Sequence, residues 1–515
     1  RFQGCLAVPS DGEYTLSLIS DDGSRLYLDG SLVVDNDGAH EAVEVATTVT
    51  LTAGMHPLEL QYFDRDGEET LEFYWEGPGI ARELVPSAAL TVNETGANLG
   101  FHHVGRRVPA NDNADGDLLD LTAEYALGRN PYVASMEDVG IRLEAQDNGT
   151  RLTVTYDRPA NQASIDYWLE VSADLQSWTP ILVEDEVENV TYGWERVRYD
   201  HLEDRPGVGI EGGFVRLRIW HHDWNHETTT PICGWYQTTF HSGYQTHGVS
   251  LNAAPIYAST IAAVDLEAGR LTMTSGGLLE QLGGGDYYME LTNGRYEGHR
   301  IDIDVSGSND QVIALDLRGE FNTLAALPES GLRFAQTVIR PHRTMGDVYS
   351  PTRFHGSTNP AAADQLQFFS GQRYEGYFLL DGGGRLHWAK VSDAELEDEN
   401  GTIIPPGVGT FVKRAPGMND ASLLVVGHLR DHDFMQPLRE GYNLLAPITP
   451  LAASPSSRGL SLANGFLGST DPASADQIQL WLGDWIEGGQ GYQGYFLLDA
   501  GESIRYWTGS NDEHL

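Results

Sequence analysis

Gly12-Glu-Tyr-Thr-Leu-Ser-Leu-Ile-Ser-Asp-Asp-Gly-Ser-Arg-Leu-Tyr-Leu-Asp-Gly30 alternates apolar and polar residues on either side of a turn-forming Asp-Asp-Gly. Successive side chains of a strand point to opposite faces, so Leu16 and Leu18 share one face and Leu26 and Leu28 share the next. The period of two continues outward in Val49 and Leu51, in Leu58, Leu60 and Tyr62, and in Leu71, Phe73 and Trp75. Asp11-Gly12, Asp29-Gly30 and Asp66-Gly67 stand between these runs, where a hairpin needs positive φ. Residues 1–92 therefore read as an antiparallel β-sandwich or barrel with one face of each strand buried.

Residues 93–138 read as an acidic linker that ends in a short helix near 118–128. Gly128 is placed to cap the helix and Pro131 to stop it. Alternation returns over 139–220, for example in Leu152-Thr-Val-Thr-Tyr156, which predicts a second β-sandwich. Residues 221–247, rich in histidine and aromatics, read as a linker. Beyond it the chain repeats itself. Thr358-Asn-Pro-Ala-Ala-Ala-Asp-Gln-Leu-Gln-Phe-Phe369 returns as Thr470-Asp-Pro-Ala-Ser-Ala-Asp-Gln-Ile-Gln-Leu-Trp481, and Gly371-Gln-Arg-Tyr-Glu-Gly-Tyr-Phe-Leu-Leu-Asp381 as Gly489-Gln-Gly-Tyr-Gln-Gly-Tyr-Phe-Leu-Leu-Asp499. The second copy carries an insertion around Gly483–Gly488. Two β-rich repeat modules follow, 248–440 and 441–515, each too large for a solenoid unit. The fold class is all-β: antiparallel sandwiches or barrels in tandem.

Bulk composition agrees. A chain of 515 residues is too long for one core and predicts three or four domains. The net charge of −43, with Lys390 and Lys413 the only lysines, excludes nucleic acid and anionic membranes as partners, because both need a basic patch. At 40% hydrophobic and 10% aromatic the chain is too rich for disorder, so the acid lies on folded surfaces. No apolar run is long enough to span a membrane. Cys5 and Cys233 leave two alternatives, one bridge or two thiols.

The 12–30 stretch, with Leu32-Val-Val-Asp-Asn-Asp-Gly38, Ala53-Gly-Met-His56 and Tyr74-Trp-Glu-Gly-Pro-Gly-Ile80, resembles the lectin-like domain shared by anthrax protective antigen and yeast flocculins. The resemblance implies a β-sandwich whose sugar-binding members hold calcium through adjacent aspartates in a strand-connecting loop. Carried over, that pair is Asp21 and Asp22, with Asp35 and Asp37, or Asp64 and Asp66, as further oxygen donors. Calcium wants six to eight oxygens, and sugar hydroxyls can complete its shell. Asp-Asp-Gly-Ser is equally good turn chemistry.

Asn111-Asp-Asn-Ala-Asp-Gly-Asp-Leu-Leu-Asp-Leu-Thr-Ala-Glu124 is similar to thrombospondin type-3 and EF-hand-like calcium loops. The ligands implied are Asn111, Asn113, Asp115, Asp117, Asp120 and Glu124, although the register is imperfect. Counting from Asn111 puts glycine at the sixth position but Thr122 at the twelfth, and counting from Asn113 puts Glu124 at the twelfth but Leu118 at the sixth. The plain alternative is a solvated acidic linker with helix-capping carboxylates. Tyr167-Trp-Leu-Glu-Val-Ser-Ala-Asp-Leu-Gln-Ser-Trp178, Tyr287–Gly298 and Ile403–Phe411 resemble modules of large secreted surface proteins of Verrucomicrobia-type bacteria. That resemblance implies export and modular architecture and transfers no active site.

The chain holds no His-Glu-x-x-His, Gly-x-Ser-x-Gly or Cys-x-x-Cys. Its one concentrated cluster is His221-His-Asp-Trp-Asn-His-Glu227, with Cys233, His241 and His247 near it. Such a set could bind zinc or copper, though an aromatic, polar segment between domains is the blander reading. The expectation is a non-catalytic, calcium-stabilised, extracellular modular protein, a structural or adhesive surface component such as a fibre, surface-layer or matrix subunit. The alternative is the glycan-binding accessory region of a secreted polysaccharide-degrading enzyme. Both terminal units are expected to be incomplete. The first would begin at a strand near Arg1, and the second repeat lacks a counterpart of Ile403–Arg414. This favours self-association by strand addition, or a longer polypeptide.

Overall fold

The computed structural model describes residues 2–28, 31–52, 54–63, 70–86, 89–91, 102–103, 106–107, 118–127, 140–146, 151–160, 164–191, 194–222, 224–317, 331–369, 373–451, 453–481, 492–500 and 505–509. It is an all-β, multidomain, antiparallel structure with one closed barrel and a few short helices.

The first unit is a two-layer sandwich. Its strands are β1 (Phe2–Val8), β2 (Gly12–Asp21), β3 (Ser24–Leu28), β4 (Ser31–Asn36), β5 (Val43–Leu51), β6 (Gly54–Tyr62), β7 (Thr70–Gly77), β8 (Ile80–Leu84) and β9 (Leu90–Thr91). One sheet runs β4-β3-β6-β1-β9 and the other β5-β2-β7-β8. Leu16 and Leu18 from one sheet meet Leu26, Leu28 and Leu60 from the other, and Tyr14 lies 6.2 Å from Trp75 between ring centroids. The alternation read from 12–30 thus marks the two inner faces. β2 and β3 belong to different sheets, so Asp21-Asp22-Gly23 is where the chain crosses from one layer to the other.

The second unit begins before residue 139. Helix α1 (Leu121–Ala126) is capped by Asp120, whose Oδ1 accepts the Ala123 N–H at 2.9 Å. Leu119, Ala123, Ala126 and Leu127 enter the same core as Leu169, Val171, Leu217 and Trp235. One sheet joins 142–146, 151–159, 194–199 and 186–191, and the facing sheet joins 179–181, 165–172, 212–221, 233–240 and the distant Ala421–His428. This corrects the domain reading at two points. Residues 221–247 are not a linker, because they supply the strands His226–Thr229, Cys233–Phe240 and Gly243–Gly248. The 248–440 module is not self-contained either, since its last strand completes the second sandwich through pairs such as Trp235↔Val426.

A closed six-stranded barrel occupies 257–341, and a sheet of Gly243–Gly248, Gly409–Arg414, Gln365–Phe369, Tyr374–Asp381 and Leu386–Lys390 follows around Trp388 and Tyr349. Buried Glu290 ties the barrel to the segment after residue 428. It meets Arg430 at 2.7 Å, His432 at 3.4 Å and Arg340 at 3.5 Å. Among the described residues the second repeat holds a three-stranded sheet, Gln477–Trp481, Tyr492–Asp499 and Arg505–Gly509, around Tyr495, Leu497 and Trp507. Its insertion near 483–488 lies outside the described residues. Cys233 is a free thiol in the second core, 3.6 Å from His428, and burial pushes its pKa up to about 12.

Candidate functional site

The crossing between layers is built on a buried polar floor. Ser20 and Ser24 share a hydroxyl hydrogen bond of 2.7 Å, and Asn36 donates to Ser20 Oγ at 2.8 Å and to the Val43 carbonyl at 3.0 Å. All three side chains are buried. From the other side, the Tyr62 hydroxyl donates to the Asp21 carbonyl at 2.6 Å and the Phe63 N–H to the Gly23 carbonyl at 3.0 Å. Gly23 is required by close approach: a Cβ there would lie 2.5 Å from the Phe63 ring and 2.7 Å from the Gly38 nitrogen.

On this floor Asp21 is half-buried and Asp22 is 5% exposed. Their peptide bond is cis. The Asp22 Oδ1 accepts the His40 N–H at 2.9 Å, which draws the β4–β5 loop over the crossing. The His40 ring reaches the Glu41 carbonyl through Nδ1 at 2.9 Å and the Asn36 carbonyl through Nε2 at 3.1 Å. Two carbonyl acceptors favour the doubly protonated ring, so the His40 pKa is raised, with Asp22 and Asp21 adding a smaller pull. The donors gathered here are hard oxygens, two adjacent carboxylates beside backbone carbonyls, and that set suits calcium rather than a soft metal.

The other expected ligands are placed differently. Asp35 and Asp37 hold Arg25, at 3.1 Å to Nε and 2.6 Å to Nη2, on the outer face of the β3–β4 pair. Asp120 is an N-cap, and its second oxygen faces His226 at 3.2 Å. Glu124 lies on α1 with no exposure. Asn111, Asn113, Asp115 and Asp117 lie outside the described residues, as do Asp64 and Asp66.

The histidine-rich segment disperses its side chains. His221 stacks on Trp224 at 4.0 Å, His222 meets Asp166 at 2.9 Å, His241 meets Asp420 at 2.9 Å, and His247 shares a 2.9 Å hydrogen bond with the Tyr349 hydroxyl. Successive residues of a strand face opposite ways, which sends neighbours in sequence to different partners. Among the described residues the one grouping of three metal-capable side chains is His201, Glu203 and Asp204 on an outer turn, and Glu203 already accepts the Leu152 N–H at 2.8 Å.

Asn36, Ser20, Ser24, Tyr62 and His40 are parts of the site that the acidic motif alone does not reveal. A signal for Asn36 was present. Val34 and Asn36 share the inner face of β4 while Asp35 and Asp37 take the outer one, as a period of two requires.

An antiparallel sandwich with an acidic crossing at one end defines the class of the first unit. Residues 1–89 match the family model of the PA14 domain, and this unit is a PA14 domain. Among curated proteins the chain is similar to the anti-sigma-I factor RsgI3 of Acetivibrio thermocellus, 28% identical over 78 residues, 15% of this chain and 12% of the relative's length. Among solved structures it is similar to the PA14 sugar-binding domain of an RTX adhesin, 28% identical, covering 18% of this chain and 52% of that one, with a TM-score of 0.17. It is also similar to the PA14 domain of the MpAFP antifreeze protein, 20% identical, covering 18% and 50%, with a TM-score of 0.17. The likeness thus spans about half or less of each of these proteins.

Proposed function

We propose that this chain is a non-catalytic, extracellular, adhesive modular protein whose PA14 domain binds glycans through a calcium ion held by Asp21 and Asp22. One observation carries the reading. Within the PA14 unit two aspartates adjacent in sequence lie at the layer crossing over a buried polar floor, while a second acidic pair, Asp35 and Asp37, is committed to Arg25. Asp21 and Asp22 would hold the ion, and Asn36, Ser20 and Ser24 fix the backbone that presents them. Bound calcium supplies open coordination positions that vicinal sugar hydroxyls fill.

Glycan arrays with the full chain, in calcium and in chelator, test the reading. Calcium-dependent binding is expected, and Asp22→Ala should abolish it while the sandwich stays folded. Binding retained by Asp22→Ala moves the site elsewhere. No calcium-dependent binding by the parent chain overturns the proposal.

A further inference from the structure

The two repeat copies agree hydrogen bond by hydrogen bond. Asn359 and Asp471 each cap a turn through the N–H two residues on, at 3.0 and 3.1 Å. Gln365 donates to the Pro360 carbonyl at 2.7 Å, and Gln477 to that of Pro472 at 3.0 Å. Asp364 Oδ2 accepts the His355 N–H and Asp476 Oδ2 the Leu467 N–H, both at 2.7 Å. Trp388 and Trp507 each donate an indole N–H to a backbone carbonyl, at 2.7 and 2.8 Å. The ladders match as well, Leu366↔Tyr377 against Ile478↔Tyr495.

Among the described residues they differ along one sheet edge. In the first copy Gly409–Arg414 lies antiparallel along Gln365–Phe369, with Leu366 opposite Val412 and Gln367 opposite Phe411. Its Arg414 forms an ion pair with Asp364 Oδ2, and the next N–H, of Ala415, donates to Asp364 Oδ1 at 2.7 Å. Asp364 is fully buried in consequence. In the second copy Gln477–Trp481 is an edge strand among the described residues, and exposure rises at the equivalents of Asp364 to Phe368. Asp476 is exposed where Asp364 is buried, Ile478 is half-buried where Leu366 is buried, and Leu480 is exposed where Phe368 is half-buried. Gln477-Ile-Gln-Leu-Trp481 carries no proline and no charge, the usual guards of a free edge. Trp481 at its end is anchored on the first copy, donating to the Tyr244 carbonyl at 3.1 Å with its ring edge-on to Phe411, so the edge is held in place.

We propose that the outer edge of Gln477–Trp481 is a docking site for an extended segment of the chemistry of Gly409–Arg414, laid antiparallel with its arginine on Asp476. The occupied twin specifies the partner: a small residue at the start, an aromatic and an aliphatic residue in the middle, and arginine at the end. Backbone ladder bonds supply the affinity, and the buried carboxylate–guanidinium pair sets the register. The proposal is independent of the glycan reading.

A fluorescent peptide of residues 402–419, titrated into the full chain, is the test, with amide exchange locating the contact. Saturable binding that protects 477–481 is expected. Asp476→Ala should weaken it about tenfold, Arg414→Ala in the peptide by the same factor, and the two changes together should weaken it no further. The peptide variant needs no folding, so it reads the pair even if Asp476→Ala perturbs the chain. Four results overturn the proposal: no saturable binding, indifference to both changes, protection of 365–369 instead, or protection of 477–481 that grows with protein concentration without peptide.

Discussion

Asn36 and its two acidic neighbours show how one residue's facing decides its role. The Asn36 amide satisfies Ser20 and the Val43 carbonyl inside the sandwich, whereas Asp35 meets Arg25 in solvent. A buried polar group stripped of its partner costs about 1–3 kcal/mol, and an exposed ion pair contributes about 0–1 kcal/mol. Asn36→Ala should therefore lower the urea midpoint of the first unit clearly, and Asp35→Ala should leave it nearly unchanged. Equal effects would show that the Ser20–Ser24–Asn36 floor does not hold the crossing together.

At the scale of elements, α1 and the duplicated strands carry separate predictions. The Asp120 cap should contribute about 1 kcal/mol, so Asp120→Ala destabilises the second unit by that amount in denaturant titration. The Asn/Asp density of 111–120 repels itself without a cation. The calcium reading of 111–124, with Glu124 as the helical ligand, predicts that chelation lowers the melting temperature and opens this junction to protease. Unchanged melting and unchanged cleavage would leave the segment a plain linker. Between the repeats, equivalent aspartates should behave unequally. Asp364→Ala strands Arg414 in a buried site and should cost about 3–5 kcal/mol. Asp476→Ala, at an exposed position, should cost no more than about 1 kcal/mol.

Over the whole molecule, buried ionisable groups join segments far apart in sequence and make stability depend on pH. Burial lowers the pKa of His247 to about 4 and that of His428 to about 3. The unfolded chain binds these protons from about pH 6.5 downward and the native chain does not, so stability falls with acidification by about 1.4 kcal/mol per pH unit for each. At His432 burial is outweighed by Asp431 and Glu290, its pKa is raised, and its contribution is lost as pH rises. His432 and His40, both with raised pKa values, keep their full contribution below about pH 6.5, so the two depressed histidines leave a net loss between pH 6.5 and 5, above the range where carboxylates titrate. Urea midpoints across that window should fall, and His428→Asn should make the slope shallower. A flat profile would mean that these histidines are not buried as neutral rings.

Alternation over 12–30 and 49–75 determined the sandwich and its inner faces, because a period of two is local and survives without knowledge of the partner strand. The Asp21-Asp22 pair, the short helix and the duplication were legible for the same reason, each lying within a few residues or in a repeated string. Three features were decided only by the tertiary structure. One is the crossing of Asp21-Asp22-Gly23 between layers over the Asn36 floor. Another is the conversion of 221–247 from apparent linker to three strands. The last is the pairing of Ala421–His428 with Cys233–Phe240 in the second sandwich. Side-chain period states which way a residue faces but not which strand lies beside it, and that choice is made by burial between segments nearly two hundred residues apart.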